Sequence, residues 1–215
     1  MVRGAPLASA QPPWVGGLGE FGKTDGRPTF PPLPGALVEA KAVAGVIPKP
    51  QMLSPDQMTK SFLLENVNGP RILHLATHGY YLAAHGGLAL KDANLSEANV
   101  LTDSDVAKLK LFGTQLVVLS ACSTGQGEAS FADGITGLQR SLTLAGARSQ
   151  ILTLWPVDDA KTKELMVLFY RNLFERGMTK AEALRQAQLA LEKNGVDEYY
   201  WAPFVLYGDG GPLGK

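Results

Sequence analysis

The 215-residue sequence has one cysteine, no excess of charge of either sign and no long apolar run. A lone cysteine, Cys122, forms neither an internal disulfide nor a cysteine-rich zinc site, which favours a reducing, cytoplasmic compartment. Twenty Lys and Arg balance twenty Asp and Glu, so no one-signed field is offered to nucleic acid or an anionic membrane. No stretch approaches the roughly 20 apolar residues that cross a bilayer, and no signal-peptide pattern opens the chain.

The rest of the composition suits a globular protein. Hydrophobic residues make up 45% of the chain, which is enough for the core of one large α/β domain. Residues 1–34 are rich in proline and glycine and show neither strand nor helix periodicity, so they are predicted to form an irregular arm. Residues 35–215 are predicted to form a single folded domain.

From residue 35 onward, apolar segments typical of strands alternate with segments of helical periodicity. Strands joined by helices of ten or more residues imply crossover connections and a mostly parallel sheet. The run "QLVVLS" does not alternate, as expected of a strand covered on both faces. The sequence therefore predicts an α/β three-layer sandwich with strands in "RILHLATHG", "QLVVLSAC", "SQILTLWPV" and "APFVLYGD".

Two predicted strands end in reactive side chains. "ILHLATHG" finishes at His78 and Gly79, and "LVVLSAC" finishes at Cys122. Ligands of open α/β sheets bind outside the carboxyl ends of the strands, so imidazole and thiol are expected at one edge if these strands are neighbours. A thiol, whose pKa is ordinarily about 8.5, is activated by a nearby imidazole. The N–H groups of Gly79 and Cys122 could together hold an oxyanion.

Other interpretations of these residues were weighed. A cysteine after a hydrophobic strand is often an inert core residue. His74 and His78 have the spacing of a helical zinc motif, but in a strand this spacing does not converge on one metal. Ser120 and Ser123 lack the Gly-x-Ser-x-Gly elbow of serine hydrolases, and "STGQGE" lacks the lysine and spacing of a phosphate-binding loop.

A pair of carboxylates, Asp158 and Asp159, follows the strand "SQILTLWPV". Asp is strongly preferred as the N-cap of a helix, where it also complements the helix dipole, so at least one of the two is expected to cap the next helix. The functional alternative is an acidic pocket that accepts a basic side chain.

Five blocks in order carry a family resemblance. They resemble the CHAT domain, a caspase-like cysteine peptidase family that often accompanies tetratricopeptide repeats in bacteria and shares its clan with caspases, gingipains and separases. The similarity runs from about Leu33 to Asp209. The blocks are "RILHLATHGYY", "LVVLSACSTGQGE", "GITGLQRSLTLAGARSQILTLWPVDDAKTKELMVLFYRNLF", "ALRQAQLAL" and "YYWAPFVLYGD".

The resemblance implies a catalytic dyad with His78 as the base and Cys122 as the nucleophile. It implies an oxyanion hole formed by the N–H groups of Gly79 and Cys122, and hydrolysis of a protein or peptide through a thioester, with no metal or other cofactor. "LWPVDD" is similar to the separase segment that lines an acidic P1 pocket, so Asp158 or Asp159 would favour Arg or Lys at P1.

Two departures from the family pattern bear on function. Family members usually carry a leading β-strand where this chain has its Pro/Gly-rich segment, so either the sheet lacks an edge strand or the chain is a fragment or a truncated gene product. The repeat or sensor domains that commonly accompany the family are absent from the sequence, so either a regulatory partner such as a tetratricopeptide-repeat protein comes from another chain or the domain acts alone. The expectation is an endopeptidase that a partner activates; the alternatives are a silent scaffold module and another thiol enzyme, such as a transferase.

Overall fold

A computed structural model of the chain describes residues 9–22, 30–82, 85–93, 99–123 and 128–214, and for residues 81, 82, 85, 122, 123 and 128–134 it describes the backbone alone. Within these ranges the strands are β1 (Trp14–Gly17), β2 (Gln51–Leu53), β3 (Ile72–Leu82), β4 (His85–Leu88), β5 (Leu101–Thr102), β6 (Leu116–Ser123), β7 (Ser149–Thr153) and β8 (Phe204–Gly208). The α-helices of the same ranges are α1 (Pro34–Ala44), α2 (Lys60–Asn66), α3 (Asp103–Val106), α4 (Glu128–Ala145), α5 (Asp159–Phe174) and α6 (Lys180–Lys193).

The strands form one mixed, mostly parallel sheet in the order β2-β1-β3-β6-β7-β8. Strands β2, β1, β3, β6 and β7 run parallel, β8 pairs antiparallel with β7, and β4 and β5 extend the upper part of β3 as an antiparallel branch. One core packs α1, α5 and α6 against the sheet, and a second packs α2, α3 and α4 against its other face. The predicted α/β three-layer sandwich is confirmed.

Strand β3 shows how the sequence produces this arrangement. Leu73 and Leu75 point into the core beneath α2 to α4, whereas Ile72 and His74 lie on the α1 and α5 side. Both faces are buried, as the two-residue period of a strand between helical layers requires. The strand continues to Leu82, so it runs beyond the position at which the sequence pattern ended it.

The N-terminal segment departs from the prediction. Residues Trp14–Gly17 form strand β1, which lies inside the sheet between β2 and β3 and pairs in parallel with both. The expectation of an irregular arm is wrong here, and so is the expectation of a missing leading strand. Two of the four residues are glycines, which weakens the strand signal. Gly17 is required, because a Cβ there would overlap the Ala36 carbonyl and the Ala40 side chain of α1.

Candidate active site

The predicted base and nucleophile lie opposite each other on the two central strands. In the parallel pairing of β3 and β6, His78 is the register partner of Cys122, and Gly79 is the partner of Ser123. Neighbouring strands lie about 4.8 Å apart. Strand β6 ends one residue beyond Cys122, so the pair lies at the carboxyl edge of this part of the sheet, where ligands of such sheets bind.

The imidazole of His78 has a defined environment. It is only 4% exposed and packs against both Phe21 and Phe30, with ring centroids 5.0 and 5.8 Å away. Its Nε2 atom lies 2.9 Å from the carbonyl oxygen of Pro31. A carbonyl only accepts hydrogen bonds, so Nε2 carries the proton and Nδ1 carries the free electron pair.

The remaining ring nitrogen is available as a base. Nδ1 of His78 is buried and has no hydrogen-bond partner among the residues whose side chains are described. Burial lowers the pKa of His78 from its ordinary value, and the contact with the Pro31 carbonyl opposes this only in part. The imidazole is therefore neutral at neutral pH and able to accept a proton.

The predicted oxyanion donors lie on the same two strands. Gly79 follows His78 within β3 and does not end the strand, contrary to the sequence interpretation; it is in register with Leu88 of β4 on one side and with Ser123 of β6 on the other. In β6, Cys122 therefore comes one residue before Ser123, the register partner of Gly79. The backbone N–H groups of Gly79 and Cys122 thus belong to adjacent strands at one edge.

A buried polar cluster lies deeper in the sheet, on the face covered by α1 and α5. His74 is fully buried, with Nδ1 3.1 Å from the Tyr170 hydroxyl. Its Nε2 lies 3.1 Å from Oε1 of Glu39, without the alignment of a hydrogen bond. The Ser120 hydroxyl donates to Oε2 of Glu39 at 3.0 Å.

These contacts decide between the alternatives weighed from the sequence. Both ring nitrogens of His74 face protein groups and His78 binds Pro31, so the two rings do not converge on a metal. Ser120 is buried and hydrogen-bonded to Glu39, so its hydroxyl is not placed to attack a substrate. Ser123 and the rest of "STGQGE" lie outside the part of the chain with described side chains.

Glu39 was missed by the sequence analysis, although a signal for it exists. In α1 the buried positions are Ala36, Glu39, Ala40 and Val43, which is the spacing of one helix face. A single acidic residue on an otherwise apolar face predicts a buried carboxylate with partners, because unpaired burial is costly.

The two predicted P1 carboxylates have different surroundings. Asp158 is exposed and caps α5, where its Oδ1 accepts hydrogen bonds from the N–H groups of Ala160 and Lys161. Asp159 is partly buried and accepts from the N–H of Gly35, and its pKa is raised by burial, then by Glu39 and Asp158. The capping role that the sequence predicted for one of them belongs to Asp158.

A cavity of about 530 Å³ opens near His78 and was not foreseen. Its lining includes Pro32, the residue after Pro31, and Glu20, the residue before Phe21. Pro31 and Phe21 both contact His78. The cavity lining is mainly apolar, with Glu20 and Lys91 as the charged members, and Lys91 forms an ion pair with Asp56. Among the described residues, the cavity is lined by Gly17, Leu18, Gly19, Glu20, Pro32, Pro34, Leu37, Val38, Pro55 and Lys91.

Solved structures identify the class of fold. The chain superimposes on the Arg-specific cysteine proteinase gingipain R with a TM-score of 0.61 and 14% identity, covering 92% of this chain and 46% of that one. It superimposes on the complex of the pro- and mature domains of RgpB from Porphyromonas gingivalis with a TM-score of 0.56 and 14% identity, covering 93% and 47%. The fold is that of the caspase-like cysteine peptidases.

The family follows from the sequence. Residues 3–209 match the family model of the CHAT domain, so the chain belongs to the CHAT domain family. This match includes strand β1, which the sequence interpretation had assigned to an irregular arm.

Two curated relatives are tetratricopeptide-repeat proteins. Tetratricopeptide repeat protein 28 of Homo sapiens is 31% identical over 127 residues, which is 58% of this chain and 5% of that protein. The protein of the same name from Mus musculus is 32% identical over 111 residues, 51% of this chain and 4% of that protein. The chain thus spans about one twentieth of the length of the curated relatives it matches.

Two further features of the described residues bear on metals and membranes. Within the described ranges, no group of three or more His, Cys, Asp and Glu side chains is arranged to hold a metal ion. None of the helices formed by those residues combines the length and apolarity that a membrane crossing needs.

Proposed function

We propose that this chain is a cysteine endopeptidase that uses a His78–Cys122 dyad to hydrolyse peptide bonds. The observation that carries the proposal is the register of His78 against Cys122 on the two central strands. The contact between His78 Nε2 and the Pro31 carbonyl supports it, because it leaves Nδ1 as the basic atom. The fold class and the CHAT family are consistent with this chemistry.

In the proposed reaction, Nδ1 of His78 removes the proton from the thiol of Cys122. The thiolate attacks the carbonyl carbon of the scissile peptide, and the resulting oxyanion is held by the N–H groups of Gly79 and Cys122. Collapse breaks the C–N bond, and the leaving amine takes the proton from His78. Water, deprotonated by the same imidazole, then attacks the thioester and releases the acid and the thiol.

Asp158 is the better candidate for selecting Arg or Lys at P1. Its side chain is exposed, and the two capping bonds both go to Oδ1, so Oδ2 can face a cation. Asp159 is less suited, because burial and neighbouring carboxylates raise its pKa and Gly35 already binds it. We therefore propose cleavage after basic residues, with Asp158 as the acidic group.

The proposed peptidase is regulated by a partner. The curated relatives are named for tetratricopeptide repeats, and one structural neighbour is a complex of a pro-domain with a mature domain. Both favour a regulatory chain or domain, here a tetratricopeptide-repeat protein that activates a latent site. The cytoplasmic location and the bacterial origin predicted from the sequence stay predictions.

The single cysteine makes a direct test possible, because any thiol-specific reagent labels only Cys122. We would measure the alkylation rate with iodoacetamide against pH for the folded protein, for His78→Gln, and for the urea-unfolded chain as the reference thiol. The dyad predicts an apparent thiol pKa below the ordinary value of about 8.5, which His78→Gln returns toward the unfolded value. A folded thiol that titrates like the unfolded one would contradict the dyad.

Cleavage of a diverse peptide library, analysed by mass spectrometry, then tests the reaction. Cuts made by the wild type and absent from Cys122→Ala identify a cysteine peptidase and report its P1 residue. An unactivated thiol combined with no cleavage would instead favour the scaffold function. An activated thiol without hydrolysis, even with a repeat partner added, would point to a different thiol enzyme.

A further inference from the structure

The proposed mechanism does not involve one buried cluster of polar side chains. Glu39, His74, Ser120 and Tyr170 are each at most 5% exposed, and they contact one another at 3.0 to 3.1 Å. Burying a carboxylate is costly unless it is paired. A cluster of four polar side chains inside an apolar core therefore calls for a function beyond packing.

The cluster lies directly beneath the dyad positions. His74 belongs to β3, the strand of His78, and Ser120 belongs to β6, two residues before Cys122. One oxygen of Glu39 faces His74 and the other accepts from Ser120. A single carboxylate on α1 thus links the two strands that carry the proposed base and nucleophile.

The segment immediately before helix α1 carries the group that orients His78. The helix begins at Pro34, three residues after Pro31. The carbonyl oxygen of Pro31 accepts a hydrogen bond from Nε2 of His78. Between Pro31 and Pro34, the Leu33 N–H donates to the carbonyl of Gly19 at 2.8 Å. The position of α1 on the sheet therefore sets the distance between the Pro31 carbonyl and the imidazole.

Donors and acceptors in the cluster are mutually consistent. Nε2 of His74 faces a carboxylate oxygen of Glu39, which only accepts, so Nε2 carries the proton and Nδ1 accepts a hydrogen bond from the Tyr170 hydroxyl. Ser120 donates to the other carboxylate oxygen. This arrangement requires both carboxylate oxygens of Glu39 to act as hydrogen-bond acceptors.

We propose that Glu39 is a positioning residue for the His78–Cys122 dyad. It holds α1 against β3 and β6, so that the Pro31 carbonyl keeps its contact with Nε2 and His78 presents Nδ1 as the base. This inference rests on the proposed peptidase function for its kinetic consequences. Its structural consequence, a fixed His78 tautomer, does not depend on catalysis.

The key variant is Glu39→Gln. It keeps the shape of the side chain but replaces one oxygen with an amide donor, which opposes either the Ser120 hydroxyl or the Nε2–H of His74. The matched control is Tyr170→Phe, which removes a hydrogen bond from the same cluster through α5 and leaves the α1 contacts in place. Both variants lose a buried polar contact, so they separate positioning from a general loss of stability.

The first readout is the tautomer and pKa of His78, measured by NMR of ¹⁵N-labelled histidine in a Cys122→Ala background. The chain has three histidines, so assignment is tractable. We expect a single Nε2–H tautomer in the parent and in Tyr170→Phe. In Glu39→Gln we expect mixed tautomers and a His78 pKa that moves toward the ordinary value. A folded Glu39→Gln with unchanged His78 signals would overturn the proposal.

The second readout is kinetic and uses the chain with Cys122 intact. Glu39→Gln should lower kcat by about 10- to 100-fold, as for a misplaced catalytic group, with little change in KM, and should shift the acidic limb of the pH profile. Tyr170→Phe should leave that limb in place. A kcat and pH profile shared by both variants would overturn the positioning role.

Two further variants keep the test decisive if Glu39→Gln does not fold. Ser120→Ala removes one contact of the carboxylate, and Glu39→Asp restores the charge on a shorter stem. Ser120→Ala should disturb the His78 tautomer, and Glu39→Asp should recover it in part; no effect from either overturns the proposal. If the parent cleaves nothing but Glu39→Gln still alters His78, the peptidase function fails while the positioning role is supported.

Discussion

Nε2 of His78 donates to the carbonyl oxygen of Pro31 across 2.9 Å, and this one bond joins the central strand of the sheet to the segment before the first helix. Because the acceptor is a backbone group, no substitution at Pro31 removes it directly. The imidazole is thus held in one tautomer by the path of the chain. Its proposed role as a base therefore depends on how α1 and β1 are packed.

The burial of His78 predicts a pH-dependent stability. Its pKa is lowered in the folded protein, chiefly by burial, so the unfolded chain binds more protons as the pH falls below the ordinary value of 6.5. By linkage, stability is fully present above that pH and is lost as the pH decreases toward the folded-state pKa. The comparison variant is His78→Gln, which cannot gain this proton.

We expect the free energy of unfolding of the wild type to fall more steeply below pH 6.5 than that of His78→Gln, because only the wild type must bury a neutral imidazole. Urea unfolding at a series of pH values measures both curves. Parallel curves for the two proteins would show that the imidazole of His78 is not desolvated in solution.

Asp158 is predicted to have two roles, as the N-cap of α5 and as the group that binds a basic P1 side chain. Asn caps helices as well as Asp does, so Asp158→Asn should keep the stability of the wild type, whereas Asp158→Ala should lose about 1 kcal/mol. If the carboxylate selects a basic P1 residue, Asp158→Asn should lower kcat/KM for Arg and Lys substrates by up to about fivefold relative to an Ala substrate, because an exposed charge pair contributes about 0.2–1 kcal/mol.

Thermal unfolding and competitive cleavage of matched peptides measure the two effects separately. An Asp158→Asn protein with the P1 preference of the wild type would remove Asp158 from the specificity pocket and leave it a helix cap. Asp159→Asn serves as the comparison, because its side chain contacts Gly35.

The close approach of β1 and α1 predicts that Gly17 tolerates no side chain. Gly17→Ala places a Cβ on the Ala36 carbonyl and the Ala40 side chain, and overpacking of this kind costs about 1–3 kcal/mol. Gly45→Ala is the control, because its Cβ meets only ordinary contacts and Gly45 has right-handed helical geometry. Urea midpoints measure both; equal effects would contradict the tight packing of β1 on α1.

Gly17→Ala also reports on the site. Because Leu33 is tied to Gly19 and precedes α1, a displaced helix should carry Pro31 away from His78. The alkylation rate of Cys122 should then fall in Gly17→Ala and stay unchanged in Gly45→Ala.

The sequence was sufficient to predict the α/β sandwich and the pairing of His78 with Cys122 at one edge, because apolar strands that end in reactive side chains leave a clear pattern. It was not sufficient for β1, since two glycines in four residues carry little strand propensity and the strand is defined by its neighbours. The Pro31 carbonyl had no signature, because every residue has one. Glu39 could have been found from the buried face of α1.

The place of β1 in the sheet has a consequence for the order in which the protein folds. It precedes both of its neighbours, β2 and β3, in the chain and is therefore synthesised before either of them. Domains tend to fold as units during synthesis, but here β1 must wait for both partners before its backbone is paired. Removal of the segment that contains β1 would leave a gap between β2 and β3. The packing that holds α1, Pro31 and the proposed base His78 in place would then be lost.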